Sequence, residues 1–120
     1  DGYEYPWGNT FDKKKCNSGE SNNNNTTAVG WYSPDGDSSC GCADIVGNVW
    51  EWTHSLKKEY PYIVSDGREN EADKGGRVIR GGSFISNSGL VRCACRAEQN
   101  SFTSYYHVGF RVCIAPPLPK

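Results

Sequence analysis

The block Asp44-Ile-Val-Gly-Asn-Val-Trp-Glu-Trp52 places Trp50 and Trp52 two residues apart, with Val49 and Glu51 interleaved. Residues two apart share one face of an extended strand, so the block predicts a strand with both tryptophans in the core. Arg77-Val-Ile-Arg80 returns to the core through Val78 and Ile79, and Gly81-Gly82 marks a tight turn or a close backbone approach. Residues 55 to 76 between them carry charges and turn formers, which predicts an exposed excursion. Short strands joined by long ordered loops follow. With 36% hydrophobic residues, 14 Gly and no Met, few long helices can be built. The apolar mass lies in four Trp, seven Tyr and four Phe.

Residues 1 to 39 are punctuated by Pro6, Gly8, Gly19, Gly30, Pro34 and Gly36, and Asn22 to Asn25 read as a solvated low-complexity loop. Val108 to Ile114 is expected as the last strand, with Pro116, Pro117 and Pro119 ending the domain. No internal repeat is visible. A chain of 120 residues forms one domain, 1–120, and buries roughly two-thirds of its unfolded surface.

A net charge of −1 leaves no basic field for a phosphate backbone, so nucleic acid is excluded as a partner. No apolar run reaches the roughly 20 residues of a membrane span. The six cysteines, Cys16, Cys40, Cys42, Cys93, Cys95 and Cys113, are even in number and allow fifteen full pairings. Cys40-Gly-Cys42 and Cys93-Ala-Cys95 are spaced more tightly than zinc knuckles, which favours buried thiols or structural disulfides over a metal.

Asp44-to-Trp52, Arg77-Val-Ile-Arg-Gly-Gly-Ser-Phe84 and Val108-Gly-Phe-Arg111, in that order and spacing, resemble the C-terminal half of the formylglycine-generating-enzyme (sulfatase-modifying factor) family. Tyr5-Pro-Trp-Gly-Asn9 and Ala28-Val-Gly-Trp-Tyr-Ser-Pro34 are similar to earlier segments of that half. The resemblance implies an α+β, C-type-lectin-like fold. It also places residue 1 in mid-domain, as expected of a fragment or a processed product. A missing N-terminal half would leave a sheet edge open to self-association or to pairing with that half. No targeting signal is visible, so cytoplasm and cell or virion surface both stay open.

Asp44, Gly47, Val49 and Glu51 alternate so that two carboxylates and two carbonyls can converge, a hard oxygen set suited to calcium. In relatives the matching positions hold a structural calcium. The alternative is that Asp44 and Glu51 cap a turn and pair with Arg80 or Arg111. Asn17 resembles a ligand of a second calcium site in relatives.

Family oxidases bind copper(I) through two cysteines after the Gly-Gly-Ser-aromatic turn, chemistry that needs soft thiolates. Here the first position is Ser86 and the second is Val91 or Ser88, depending on the end from which the shorter loop is counted. Cys93 resembles a structural cysteine of the family. His54 and His107 lack ligand spacing. No copper and no catalytic residue are expected.

Between Phe84 and Val108, small polar residues alternate irregularly with aromatics, a composition typical of binding surfaces. The expected contacts are Ile85, Ser86, Asn87, Gly89, Leu90, Cys95, Ala97, Phe102, Ser104, Tyr105, Tyr106 and His107, displayed by Trp50, Trp52, Arg80, Gly81, Gly82 and Arg111. Arg80 and Arg111 are expected as internal braces. The layout also resembles the variable region of proteins diversified by retroelements, with Gly81-Gly-Ser-Phe84, Arg92-Cys-Ala-Cys-Arg96 and Gly109-Phe-Arg111 retained. Adenine-directed mutagenesis of Asn codons, the mechanism of that family, reaches every residue type from 85 to 107 except Glu98 and Gln99. A drifted loop in a catalytically silent relative accounts for the same segment without diversification. The reading is a ligand-binding module, with protein favoured over sugar. The alternatives are an oxidoreductase of the family and a structural assembly domain of a cell or virion surface.

Overall fold

The computed structural model describes residues 2–114. The chain end with Pro116, Pro117 and Pro119 lies outside them. A mixed sheet of four short strands organises the protein: β1 (Trp50–Leu56), β2 (Arg77–Arg80), β3 (Arg96–Gln99) and β4 (Val108–Gly109), in the order β3-β2-β1-β4. β2 runs antiparallel to β1 and β3, while β4 runs parallel to β1. The remaining regular element is a 3-10 turn at Gly19–Ser21. No helix among the described residues is long and apolar enough to cross a membrane.

Register assigns the two faces, because directly opposed residues of an antiparallel pair project to the same side. Trp52 opposes Ile79, and Ile79 opposes Ala97. On the other face, Glu51 opposes Arg80, and Arg80 opposes Arg96. Trp50 is buried, as the alternation predicts, and Val78 and Ile79 are buried on opposite faces of β2, whereas Trp52, expected in the core with Trp50, is only half-buried. Gly81 and Gly82 both have positive φ, at 91° and 73°, and make the expected turn.

Away from the sheet, irregular chain forms a second part of the core. Tyr5, Cys16, Val46 and Val91 cluster there, joined by Trp7, Phe11 and Ile45. Tyr5 stacks on Trp7 with centroids 5.6 Å apart, and its hydroxyl donates to the Ser88 carbonyl at 3.1 Å. Burial raises the Cys16 thiol to about 11. None of the six cysteines is bridged, and Cys16 is the buried one.

Two expectations about elements are corrected. The last strand is confined to Val108–Gly109 rather than running to Ile114, and Phe110, Val112 and Ile114 are exposed. Arg111 reaches the carbonyls of Ala43 and Asp44 at 3.0 and 2.9 Å, drawing the chain toward that turn. The segment between β1 and β2 is exposed at Tyr60 to Val64 but is also anchored back on the sheet. Leu56 N–H donates to the Arg68 carbonyl and Lys57 N–H to the Gly76 carbonyl. Arg68 is only 3% exposed, and its guanidinium donates to Asp66 and to the carbonyls of Glu59 and Pro61.

Arg68 holds the Asp66 carboxyl well below its ordinary 3.8, at about 2. A depressed carboxyl stabilises the fold fully above its unfolded value and loses that contribution as pH falls through the folded one. Asp66→Asn is expected to lower the urea midpoint at neutral pH, with the gap from wild type closing as pH drops from about 4 to about 2. A gap independent of pH would exclude the charge as its source.

Candidate functional site

The Gly81-Gly82 turn makes the loop after it possible. A Cβ on Gly82 would lie 2.7 Å from Val91 Cγ1 and 3.0 Å from the Leu90 carbonyl oxygen, so the chain from 83 to 91 folds back over glycine. At its base Ser83 and Ser86 are buried. Ser83 N–H donates to Ser86 Oγ at 2.9 Å, the two hydroxyls lie 3.1 Å apart, and the Ser86 carbonyl accepts from Gly19 N–H at 2.8 Å. Ser86 is therefore not a surface contact, contrary to the sequence expectation: burial of a serine is sustained by these internal hydrogen bonds.

Phe84 is buried below the segment that precedes β4. Its ring lies 5.9 Å from Tyr106, Tyr106 meets His107 edge-on at 5.0 Å, and Tyr105 lies 5.6 Å from His107. The His107 carbonyl accepts from Trp50 N–H at 2.9 Å, which fixes this aromatic step to the start of β1. Tyr106 is 76% exposed and Tyr105 43%. Ile85, Asn87, Gly89 and Leu90 are exposed on the adjoining loop, where Asn87 caps the Leu90 N–H. Phe102 and Ser104 are exposed on a separate turn built on Asn100. Cys95 and Ala97 are half-buried at and before β3, with Ala97 opposite Ile79. The structure thus gathers Tyr105, Tyr106 and His107 into one aromatic cluster that rests on Phe84 through Tyr106, next to the Ile85–Leu90 loop. Among the described residues, no hydrogen bond or aromatic pairing joins Phe102, Cys95 or Ala97 to that cluster.

Asp44, Val49 and Glu51 line one cavity of about 240 Å³ with Asn48 and Arg111. Gly47 stands apart from it, packed on the Asn17 backbone. Asp44 has φ 52°, and its Oδ2 accepts from Gly30 N–H at 2.8 Å. Arg111 Nε donates to Glu51 Oε2 at 2.7 Å and its Nη2 to Oε1 of the same carboxylate, which raises the arginine's affinity for its proton. Arg111, not Arg80, is the partner of Glu51. The four residues therefore do not form an open oxygen cage: a cation must share Glu51 with a guanidinium. Arg80 braces a different loop, donating to the carbonyls of Ala94 and Cys95 at 3.0 and 2.9 Å. Asn17 is buried, with its amide donating to the Asn25 carbonyl and Asn48 Oδ1 and its Oδ1 accepting from Asn23. The asparagine run is thereby tethered, although its side chains are exposed.

Residues 1–116 match the Sulfatase-modifying factor enzyme 1-like domain. The chain belongs to this family. It is 31% identical over 139 residues to the formylglycine-generating enzyme of Mus musculus, covering 96% of this chain and 34% of that protein. It is 32% identical over 125 residues to the inactive Cα-formylglycine-generating enzyme 2 of Bos taurus, covering 92% of this chain and 37% of that protein. Among solved structures, Treponema denticola variable protein 1 superposes with a TM-score of 0.69 at 24% identity, over 91% of this chain and 40% of that one. The chain spans about a third of the length of these curated relatives. Its fold is α+β and C-type-lectin-like, represented among the described residues by the sheet, the loops and a 3-10 turn. Ser86 and Val91 are buried, and Ser88 is half-buried.

Sequence reasoning missed Arg68, Arg96, Tyr60 and Tyr62, which meet over the sheet face opposite Trp52 and Ile79. Their convergence depends on the fold-back of residues 57 to 69, for which no periodic signal exists.

Proposed function

We propose that this domain is a non-catalytic module that binds a protein ligand through the exposed loops around Tyr105 and Tyr106. The observation that carries the reading is the aromatic step itself: exposed Tyr106 held against buried Phe84, and exposed Tyr105 against His107, whose carbonyl is fixed to β1. Rigid tyrosines offer contact area at small entropic cost, while Ser104 beside them and Asn87 on the adjoining loop supply adaptable hydrogen bonding. Ser86 and either Val91 or Ser88, none of them a thiol, stand where the family resemblance sets the catalytic cysteines, which supports a reading without copper chemistry. The contact set is Ile85, Asn87, Gly89, Leu90, Phe102, Ser104, Tyr105 and Tyr106, with His107 as its support.

Presenting the domain and its Tyr105→Ala/Tyr106→Ala variant side by side to a protein extract should recover partners on the former alone. Each tyrosine should contribute about 1 kcal/mol or more to affinity. The melting temperature should hardly move, because exposed side chains contribute little burial. Equal binding by the double variant would place the site elsewhere.

The composition of residues 85–107 supports a further reading, that this surface is diversified between isolates. Sequencing the codons for residues 81 to 111 in several isolates should then show changes at Ile85, Leu90, Phe102, Tyr105 and Tyr106. Buried Phe84, Ser86 and Val91 should stay fixed. An invariant segment, or changes as frequent at buried as at exposed positions, would remove the diversified reading.

Calcium at Asp44, Gly47, Val49 and Glu51 rests on the family resemblance, with the condition that Arg111 release Glu51. Calcium over chelator should raise the melting temperature more in Arg111→Gln than in wild type. No rise in either protein would end the calcium assignment.

A further inference from the structure

Beneath the fold-back of residues 57 to 69 lies a second cavity of about 240 Å³, bordered by Arg68, Arg80, Arg96, Tyr60, Tyr62 and Val78 among others. Arg80 on β2 and Arg96 on β3 are directly opposed across the ladder. Like charges in that position repel and destabilise a sheet unless something compensates them.

The protein provides neutral acceptors for them. Arg80 donates through Nη1 to main-chain carbonyls, and Arg96 donates through Nη1 to the Lys58 carbonyl at 2.7 Å while stacking 4.0 Å over Tyr60. Three nearby carboxylates have other commitments. Glu51, across from Arg80, holds Arg111; Asp66 holds Arg68; Glu69 accepts from Ser55 and Tyr62 and pairs with His54. Glu98 shares the face of Arg96 but makes no ion pair with it or with Arg80. Among the described residues, the Nε and Nη2 donors of Arg80 and Arg96 have no protein acceptor.

We propose that this cavity binds a small organic oxyanion, with a carboxylate or a phosphate or sulfate monoester as its head. The head lies on the paired guanidinium forks of Arg80 and Arg96, whose planar donors match such oxygens bidentately. An apolar body fits between Tyr60 and Tyr62 over Val78. Binding relieves the cross-strand repulsion, so it stabilises β2–β3 as well as filling the space. The site is separate from the Tyr105–Tyr106 surface, and neither assignment depends on the other.

Titrating the ¹⁵N-labelled domain with benzoate, phenyl phosphate and inorganic phosphate tests this. Saturable shifts of the arginine Nε–H groups of Arg80 and Arg96 and of the Val78 amide are expected with at least one aryl anion. Arg96→Gln should weaken that binding by about tenfold or more, and Lys14→Gln, outside the cavity, should not change it. Raising the ionic strength should weaken it as well. If Arg96→Gln misfolds, the shift map on the wild type decides. Shifts that do not saturate, that spread over surface lysines, or that fall equally in Lys14→Gln would overturn the site. Inorganic phosphate binding as tightly as phenyl phosphate would keep the oxyanion head and overturn the apolar body.

Discussion

A small junction of main-chain hydrogen bonds at Gly47 and Asn48 carries the architecture. Gly47 N–H donates to the Gly81 carbonyl, Asn48 N–H to the Asn17 carbonyl, and Phe84 N–H to the Asn48 carbonyl, all at 2.8 to 2.9 Å. A domain with short strands cannot satisfy most of its backbone within ladders, so buried loop amides need partners in other loops. Gly47 allows this meeting: its φ is +80°, and a Cβ there would come within 2.5 Å of the Asn17 carbonyl oxygen. Any side chain would both strain the left-handed backbone and force the two loops apart. Asn17 completes the junction from within, since its side chain ties Asn23, Asn25 and Asn48 together in a buried setting.

The exposed aromatic surface follows from the junction. Phe84 leaves it with its amide on Asn48 and its ring beneath Tyr106. Gly19, from the Asn17 segment, holds the Ser86 carbonyl, while Glu20 accepts from Ser88 N–H at 2.7 Å. The exposed loop at Ile85–Leu90 is therefore held from below at two points, leaving the outward side chains of Ile85 and Leu90 free of hydrogen-bonding duty. Rigid placement with spare side chains is what a binding loop needs if its sequence is to change without unfolding the domain.

Much of this framework was legible because it is written in short-range pattern. Period-two alternation placed Trp50 in the core, the apolar pair Val78-Ile79 marked the return to it, and adjacent glycines placed the turn at 81–82. Less was legible wherever a residue's state is decided by a distant partner. Ser86 reads as a polar surface residue, yet a hydroxyl contact with Ser83 and an amide from Gly19 make it internal. Val108 to Ile114 reads as a full strand, but Arg111 finds its partners at Ala43, Asp44 and Glu51 and the ladder ends at Gly109. Glu51 itself satisfies two descriptions in the sequence, oxygen ligand or ion-pair partner, and only the position of Arg111 separates them.

The arginines then divide by what they meet. Arg68 and Arg111 face carboxylates and are neutralised within the fold, whereas Arg80 and Arg96 meet carbonyls and an aromatic ring. A carbonyl satisfies an N–H donor but leaves the charge in place, so hydrogen-bond satisfaction and charge compensation are separate conditions in this sheet. The face beneath the 57–69 cover meets the first at Nη1 of each arginine and leaves the second to be met from outside the chain. The opposite face carries Trp52, Ile79 and Ala97, with Arg77 at its end donating to the carbonyls of His54, Asn70 and Asp73. One four-stranded sheet thus supports an aromatic surface at the β1–β4 end and concentrates uncompensated positive charge toward β2–β3.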